Sequence, residues 1–413
     1  MNEPKITVVI PTRERSDVLK ESLRTVTAQD YSNLDIIVSD NFGADDTEDV
    51  VRSANDSRIR YINTGKRLSM SRNWEFALSN VDDEGWVTII GDDDGLLPGS
   101  LSTVAEIIQL TGVLAIRSSA CAYRWPSPTN LHPVVLEVPL GSGFELRQTR
   151  QWLAKVLSGK AAYWQLPMLY NGGFVSMSVL KAIKSKSGSF YKSSCPDIYS
   201  AVALSSMLDR YVFSWEPLAI SGSSRHSTGQ SHFEKAKDSN SKETPADKFA
   251  AEQNLPFHRD LPLDKNGRVA KSLQLAVYES YLQSSCLRPT TDATSHAEQL
   301  EIILATSGMH ISEISEWGKE FAKTHDLDYA KIRSKARLKR PVLQTAAITR
   351  KAFLAMNTYF VRPAEVPLKN VFDASKMAAE IRADIPGLTK RFFRLSRQAL
   401  QLGWEKVSGL RTD

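Results

Sequence analysis

Over its first 117 residues the chain alternates short apolar runs with longer amphipathic stretches, and few folds accommodate that order. The apolar runs, Ile6–Pro11, Leu34–Ser39, Arg58–Asn63, Trp86–Ile90 and Gly112–Arg117, have strand length. Between them lie helix-length segments at Ser16–Ala28, Asp46–Ala54, Ser69–Asn80 and Gly99–Leu110. Such alternation predicts a parallel sheet covered by helices. Residues suited to N-capping stand at Ser16 or Asp17, Asp45 or Asp46, and Ser69. Ligands of open α/β sheets bind beyond the carboxyl ends of the strands, so the residues that follow each strand matter most. The first strand runs into Pro11-Thr12-Arg13-Glu14-Arg15 and the second ends at Asp40-Asn41. The third leads to Gly65-Lys66-Arg67, and the fourth to Gly91-Asp92-Asp93-Asp94-Gly95. One sheet edge therefore carries both cations and carboxylates, the combination that a diphosphate with a metal ion requires.

Three consecutive aspartates after an apolar strand point to chemistry. If strand geometry continues, Asp92 and Asp94 share a face about 6–7 Å apart and repel by roughly 2–3 kcal/mol at an effective dielectric near 20. A bound cation reverses that cost. The plainer alternative is a polar turn whose last aspartate caps the helix beginning near Pro98.

At 413 residues the chain exceeds the usual size of one hydrophobic core, which argues for two domains. The expected division is an α/β domain at 1–235, a linker at 236–265 rich in Ser, Lys, Asp and Pro, and an all-α domain at 266–413. Helical signals in the last part cover Val269–Ser284, Ser295–Thr306, Ile311–Thr324, Tyr329–Arg340, Val342–Phe360 and Leu388–Val407. From Ala122 to Leu218 the pattern is less regular, with Trp125, Trp152, Trp164 and Trp215 among turns such as Asn171-Gly172-Gly173. Each tryptophan suits either core packing or stacking on a sugar ring. Cys121, Cys195 and Cys286 are too widely spaced for a zinc pattern and odd in number for a disulfide framework. The first 15 residues carry neither a signal-peptide nor a membrane-span pattern, so a cytoplasmic location is expected.

The ordered set Val8-Val9-Ile10-Pro11-Thr12-Arg13, Ser39-Asp40-Asn41 with Asp45-Asp46-Thr47, Ser71-Arg72-Asn73, and Gly91-Asp92-Asp93-Asp94 with Pro98-Gly99 resembles the family 2 glycosyltransferases. The resemblance spans roughly residues 5–230 and is tightest over the first 110. It implies a GT-A fold, a Rossmann-like, mostly parallel sheet with helices on both faces, and inverting transfer of a sugar from a nucleotide-sugar donor. A UDP-sugar is the expected donor, and a glycan or lipid-linked hydroxyl in surface polysaccharide synthesis the expected acceptor. By the same likeness Pro11, Thr12 and Arg15 border the nucleoside, and Asp40 hydrogen-bonds the base. Lys66, Arg67, Arg72 and Asn73 face the diphosphate side, and Asp92 lies nearest the ribose. Asp93 or Asp94 holds Mn²⁺ or Mg²⁺, the two registers being equally open, with His226 as a further ligand and His232 a weaker one. Arg225 beside it touches phosphate. Cys195-Pro196-Asp197-Ile198-Tyr199 resembles the segment carrying the catalytic base, which makes Asp197 that base, although Pro196-Asp197 is equally a plain helix start.

The chain departs from the family in three places. Gly91 stands where many members have an acidic residue, Phe42-Gly43-Ala44 replaces the usual small polar turn, and no Gln-x-x-Arg-Trp signature of processive synthases is present. The basic excess sits at the end, where residues 331–413 hold 18 Lys and Arg against 6 Asp and Glu. Leu388, Phe392, Leu395, Ala399 and Leu402 form a helical stripe flanked by Lys390, Arg391, Arg394 and Arg397. That stripe packs on its own domain or a second subunit of a homo-oligomer, or lies on an anionic membrane as a peripheral contact. Lys331–Arg340, with six basic residues in ten, keeps membrane and nucleic acid open as partners, nucleic acid being the less expected. The competing functional reading is a catalytically degenerate nucleotide-binding or scaffolding module that acts through its helical half.

Overall fold

A computed structural model describes residues 3–126, 134–226, 252, 254–289, 294–362 and 368–384. In chain order the elements are β1 (Ile6–Thr12), α1 (Ser16–Thr27), β2 (Leu34–Asp40), α2 (Thr47–Ser53), β3 (Ile59–Asn63), α3 (Met70–Leu78), β4 (Trp86–Ile89) and β5 (Gly95–Leu96). Next come α4 (Ser100–Thr111), β6 (Ala115–Arg124), β7 (Leu136–Pro139), β8 (Phe144–Gln148), α5 (Thr149–Leu157), β9 (Gly173–Ser176), α6 (Met177–Ser187), α7 (Pro196–Met207) and β10 (Arg210–Ser223). The last part holds α8 (Leu273–Gln283), α9 (His296–Thr306), α10 (Ile311–Thr324), α11 (Tyr329–Met356), β11 (Thr358–Val361) and α12 (Val371–Ala383).

The expected α/β architecture holds. The main path of the sheet runs β11-β7-β6-β9-β4-β1-β2-β3, with β10 pairing β5, β6 and β8 off it. Pairing is parallel across β3-β2-β1-β4, where the motif residues lie. Beyond β4 it turns mixed, because β9 inserts antiparallel between β4 and β6. Every residue of β1 is buried, as its Val8-Val9-Ile10 run requires of a strand covered on both faces. Val26, Leu23 and Leu19 of α1 pack below the sheet with Ile36 and Val38, while Trp74 and Leu78 of α3 pack above it with Val9 and Ile37.

Three expectations change. The cap of α1 comes from another element: Ser16 N–H donates to Asp45 Oδ2 at 2.8 Å, while neither Asp46 nor Ser69 makes a side-chain cap bond to its own helix. The helical signals on either side of Pro341 fuse into the 28-residue α11. Finally, among the described residues after 266 the longer elements are helices except for β11, which joins the main sheet antiparallel to β7. α12 follows it onto α1, so Val371, Ala374 and Ala378 share a core with Cys121, Tyr123 and Ile220. The helical region likewise continues the core of α5 and α7, where Val156, Ile198 and Val202 meet Leu275, Tyr278, Ile303 and Phe321. Leu261, inside the expected linker, is buried in that same cluster. The stripe at 388–402 and His232 lie outside the described residues.

Candidate active site

After β4 the backbone leaves strand geometry. Asp94 N–H donates to Gly91 O at 3.1 Å and closes a turn, so Asp92 and Asp94 do not share a strand face as continued pleating would have them. Each aspartate is sent a different way. Asp92 accepts from Thr12 Oγ1 at 2.9 Å and Arg15 Nη1 at 3.0 Å, which ties it to the end of β1. Asp93 Oδ2 accepts from Ser224 Oγ at 2.6 Å and Ser224 N at 3.2 Å, and Trp125 Nε1 donates to the Asp93 carbonyl at 3.0 Å. Asp94 is fastened hardest: Oδ1 accepts from Gly222 N at 2.8 Å, and Oδ2 from Gly91 N at 2.9 Å and Tyr170 OH at 2.7 Å.

Those bonds explain Gly91. A Cβ there would lie 2.8 Å from Asp94 Oδ2 and 3.1 Å from Tyr170 OH, so the acidic side chain common in the family has no room. Gly222 is constrained in the same way, since its Cβ would come within 1.7 Å of the Asp93 carbonyl oxygen.

All three aspartates are buried. Burial pushes Asp94 up to about 7, with the neighbouring Asp93 charge adding to the shift and the bonds from Tyr170, Gly222 and Gly91 opposing it. Burial also raises Asp92, against the pull of Arg15. Concentrated negative charge of this kind suits a cation. The groups at hand are carboxylate oxygens, and among the described residues there is no cluster of three or more His, Cys, Asp or Glu that could hold a metal by itself. Such a donor set fits a hard ion such as Mn²⁺ or Mg²⁺. Both Asp94 oxygens accept from internal donors, and Asp93 is tied to Ser224.

His226 does not join them. Its Nε2 accepts from Arg225 Nε at 3.0 Å and lies 3.3 Å from Asp17 Oδ2 on α1, while its backbone carbonyl accepts from Arg15 Nη2 at 2.5 Å. Arg225 also bonds Asp17, at 3.0 Å, so the Ser224–His226 segment is pinned over the acidic turn by its backbone and by α1.

Of the expected nucleoside residues, Pro11 and Thr12 are buried at the end of β1. Asp40 is buried too, and spans the ends of β2 and β3 by accepting from Gly43 N at 2.9 Å, Tyr61 OH at 2.7 Å and Asn63 Nδ2 at 3.0 Å. Asn73 is a framework residue, its Oδ1 accepting from Ser39 Oγ at 2.9 Å. Lys66, Arg67 and Arg72 are exposed at the same edge, Arg67 paired with Glu14 at 3.0 Å.

Asp197 occupies the first turn of α7 behind Pro196 and accepts from Tyr163 OH at 2.8 Å. Burial raises its pKa, opposed chiefly by the Tyr163 bond and then by its own helix start and Arg117. Tyr170 stands between the two acidic centres: besides its bond to Asp94, its phenol is pushed far up by burial and by the charges of Asp94, Asp93 and Asp197.

Sequence reasoning missed the residue that organises this segment. Arg117 on β6 is buried and donates Nε to Trp164 O at 2.7 Å and Nη1 to Tyr170 O at 2.9 Å and Asn171 O at 2.7 Å. It thereby holds the loop that delivers both Tyr163 to Asp197 and Tyr170 to Asp94. An arginine directly after the apolar run Leu114-Ala115-Ile116, at the end of a strand-length segment, was the available signal. Trp164, packed edge-on to Tyr163 with ring centroids 5.6 Å apart, is 44% exposed, whereas Trp152 is half-buried with the Arg147 guanidinium 3.7 Å over its ring.

Residues 7–164 match the family described as Glycosyl transferase family 2. A curated relative, the GalNAc(5)-diNAcBac-PP-undecaprenol beta-1,3-glucosyltransferase of Campylobacter jejuni, is 37% identical over 106 residues, covering 25% of this chain and 34% of that enzyme. The chain thus spans about a third of that relative's length. Among solved structures, S. aureus TarS 1–349 in complex with UDP-GlcNAc is similar at 13% identity over 82% of this chain and 92% of that one, with a TM-score of 0.44. The mannosyltransferase PcManGT from Pyrobaculum calidifontis, in complex with GDP-Man and Mn²⁺, is 13% identical over 82% of this chain and 88% of its own, with a TM-score of 0.39.

Proposed function

We propose that this chain, a member of glycosyl transferase family 2 through residues 7–164, moves a sugar from a UDP-sugar to an acceptor hydroxyl with inversion at the anomeric carbon. The observation that supports this reading is the pair of acidic centres that both act on Tyr170: the Asp92–Asp94 turn that follows β4, and Asp197 in the first turn of α7. Inversion needs two such centres, because base and leaving group must flank the anomeric carbon from opposite sides.

In the transfer, Asp197 takes the proton of the acceptor hydroxyl as that oxygen bonds to the anomeric carbon, and the carbon–oxygen bond to the diphosphate breaks with its electron pair leaving on phosphate. A carboxylate with a raised pKa is a stronger base than an exposed one, and the Tyr163 bond aims it. Thr12, Arg15 and Asp92 border the ribose. Lys66, Arg67 and Arg72 meet the diphosphate. Asp93 holds Mn²⁺ or Mg²⁺, whose charge offsets that of the departing diphosphate. Asp94 and Arg117 keep the carboxylates in register.

On the acceptor side, the exposed ring of Trp164 beside Tyr163 offers a stacking face for a sugar. The name of the Campylobacter relative specifies a glycan on PP-undecaprenol, which supports a lipid-linked acceptor. Among the described residues no helix is long and apolar enough to cross a membrane.

Calorimetric titration with UDP, with and without Mn²⁺, tests the reading in wild type, Asp93→Ala and Asp197→Asn. Metal-dependent UDP binding is expected in wild type, lost in Asp93→Ala and kept in Asp197→Asn, which should fail only in transfer. A folded wild type that binds no nucleoside diphosphate would overturn the proposal.

A further inference from the structure

α11 carries on its outer side a row of apolar side chains that is exposed among the described residues. Leu338, Val342, Phe353 and Met356 recur four, eleven and three residues apart, a spacing that places them on one stripe, and they are 79%, 67%, 57% and 51% exposed. The stripe runs for roughly 27 Å at 1.5 Å per residue. A different face of the helix, about a third of a turn round, is the packed one, with Ile332, Ala336 and Leu343 buried against the core of α9 and α10. A helix already anchored by one face thus presents a second apolar face outward, which an ordinary surface helix does not do.

The charges on the helix select the occupant. Its 28 residues include eight Lys and Arg and no Asp or Glu. A second copy of the chain docking through this face about a two-fold axis would set basic helix against basic helix. The chain's own residues 385–413, six basic against two acidic, would meet the same repulsion. An anionic bilayer answers both properties together: the stripe enters the headgroup boundary while lysines and arginines on its flanks meet lipid phosphate.

We infer that the outward face of α11 docks on an anionic lipid surface. The orientation deepens the proposed function by holding the catalytic domain over a lipid-linked acceptor, but the docking rests on α11 alone and is measured without turnover. The full chain is sedimented with vesicles of phosphatidylcholine alone or mixed with phosphatidylglycerol, at low and high salt, alongside a Leu338→Ser, Val342→Ser, Phe353→Ser triple variant and a Lys335→Gln, Arg337→Gln double variant. Wild type should partition at least about tenfold more onto the mixed vesicles. The triple variant should lose about tenfold of that binding, and the charge variant should weaken it and flatten its salt dependence. Unchanged UDP titration in both variants shows that the catalytic domain is folded, so failure of docking and failure of the enzyme reading are told apart. Wild type indifferent to phosphatidylglycerol, or a triple variant that binds like wild type, would overturn the inference. So would sedimentation velocity showing an oligomer that the triple variant disperses while vesicle binding persists.

Discussion

Replacing Tyr163 with phenylalanine removes one oxygen atom, the one that donates to Asp197 Oδ2 at 2.8 Å. The ring stays, edge-on to Trp164, so the loop keeps its packing. That bond favours the ionised carboxylate and works against the burial that raises Asp197, so its loss moves the pKa further up. A hydrogen bond to a charged acceptor contributes roughly 1.5–3 kcal/mol, and 1.36 kcal/mol corresponds to one pH unit. The start of α7 still supports the carboxylate, so the lower end applies and the shift is about one unit. A base must be ionised to accept a proton, and the acid limb of the kcat/KM profile for the acceptor should therefore move about one unit toward higher pH, with the alkaline plateau largely kept. Stability responds with a definite sign as well. A carboxyl raised in the folded state binds its proton more readily there than in the unfolded chain, so its contribution is fullest at low pH and is lost as pH rises through the folded value. The variant should lose more thermal stability relative to wild type at pH 8 than at pH 5. An acid limb that stays put, or moves down, in a variant that still binds UDP would refute the assignment of Asp197 as base and Tyr163 as its positioning residue.

Asp93→Ala, which strands the Ser224 donors, should abolish the metal dependence of UDP binding and cost less stability than loss of Asp94. Asp94→Ala, by stranding Tyr170 OH and the Gly91 and Gly222 amides, should cost roughly 2–4 kcal/mol in chemical denaturation, and equal losses in the two would contradict their separation into ligand and anchor. Arg117→Lys cannot reach three carbonyls with one ammonium. It should lower transfer at least about tenfold and destabilise the chain by about 2 kcal/mol while UDP still binds, and wild-type transfer would remove Arg117 from the positioning role. Trp164→Ala should raise the acceptor KM about tenfold and leave the donor KM alone, a result read from initial rates at varied acceptor. A changed donor KM with an unchanged acceptor KM would place the ring on the wrong side of the site.

The first half of the fold was legible because its signals are local. A fully buried parallel strand must be apolar throughout, and Val8-Val9-Ile10 and Ile36-Ile37-Val38 are. The directions of Asp93 and Asp94 were not legible, since they depend on Gly222, Ser224 and Tyr170, residues 76 to 131 positions away. Arg117 was hidden for a related reason, its partners being backbone carbonyls that have no sequence identity. Pro341 misled because proline removes one amide bond without forbidding a helix that is packed on one side, and α11 runs through it. Thr358-Tyr359-Phe360 fits the end of the helical signal Val342–Phe360, since so short a run has no period of its own.

The pairing of β11 with β7 bears on how the chain matures during synthesis. Thr358 meets Pro139, and 218 residues separate the two. At roughly 5–20 residues per second the ribosome needs about 10–40 s to make that intervening stretch. During that interval the β7 edge has no strand beside it and the surface later covered by α12 is bare, while the motif-bearing strands upstream are already complete. A nascent chain stalled in this window should be a chaperone client and prone to edge-to-edge association, and slow codons between 140 and 357 should lower the yield of native protein more than the same codons placed before residue 139.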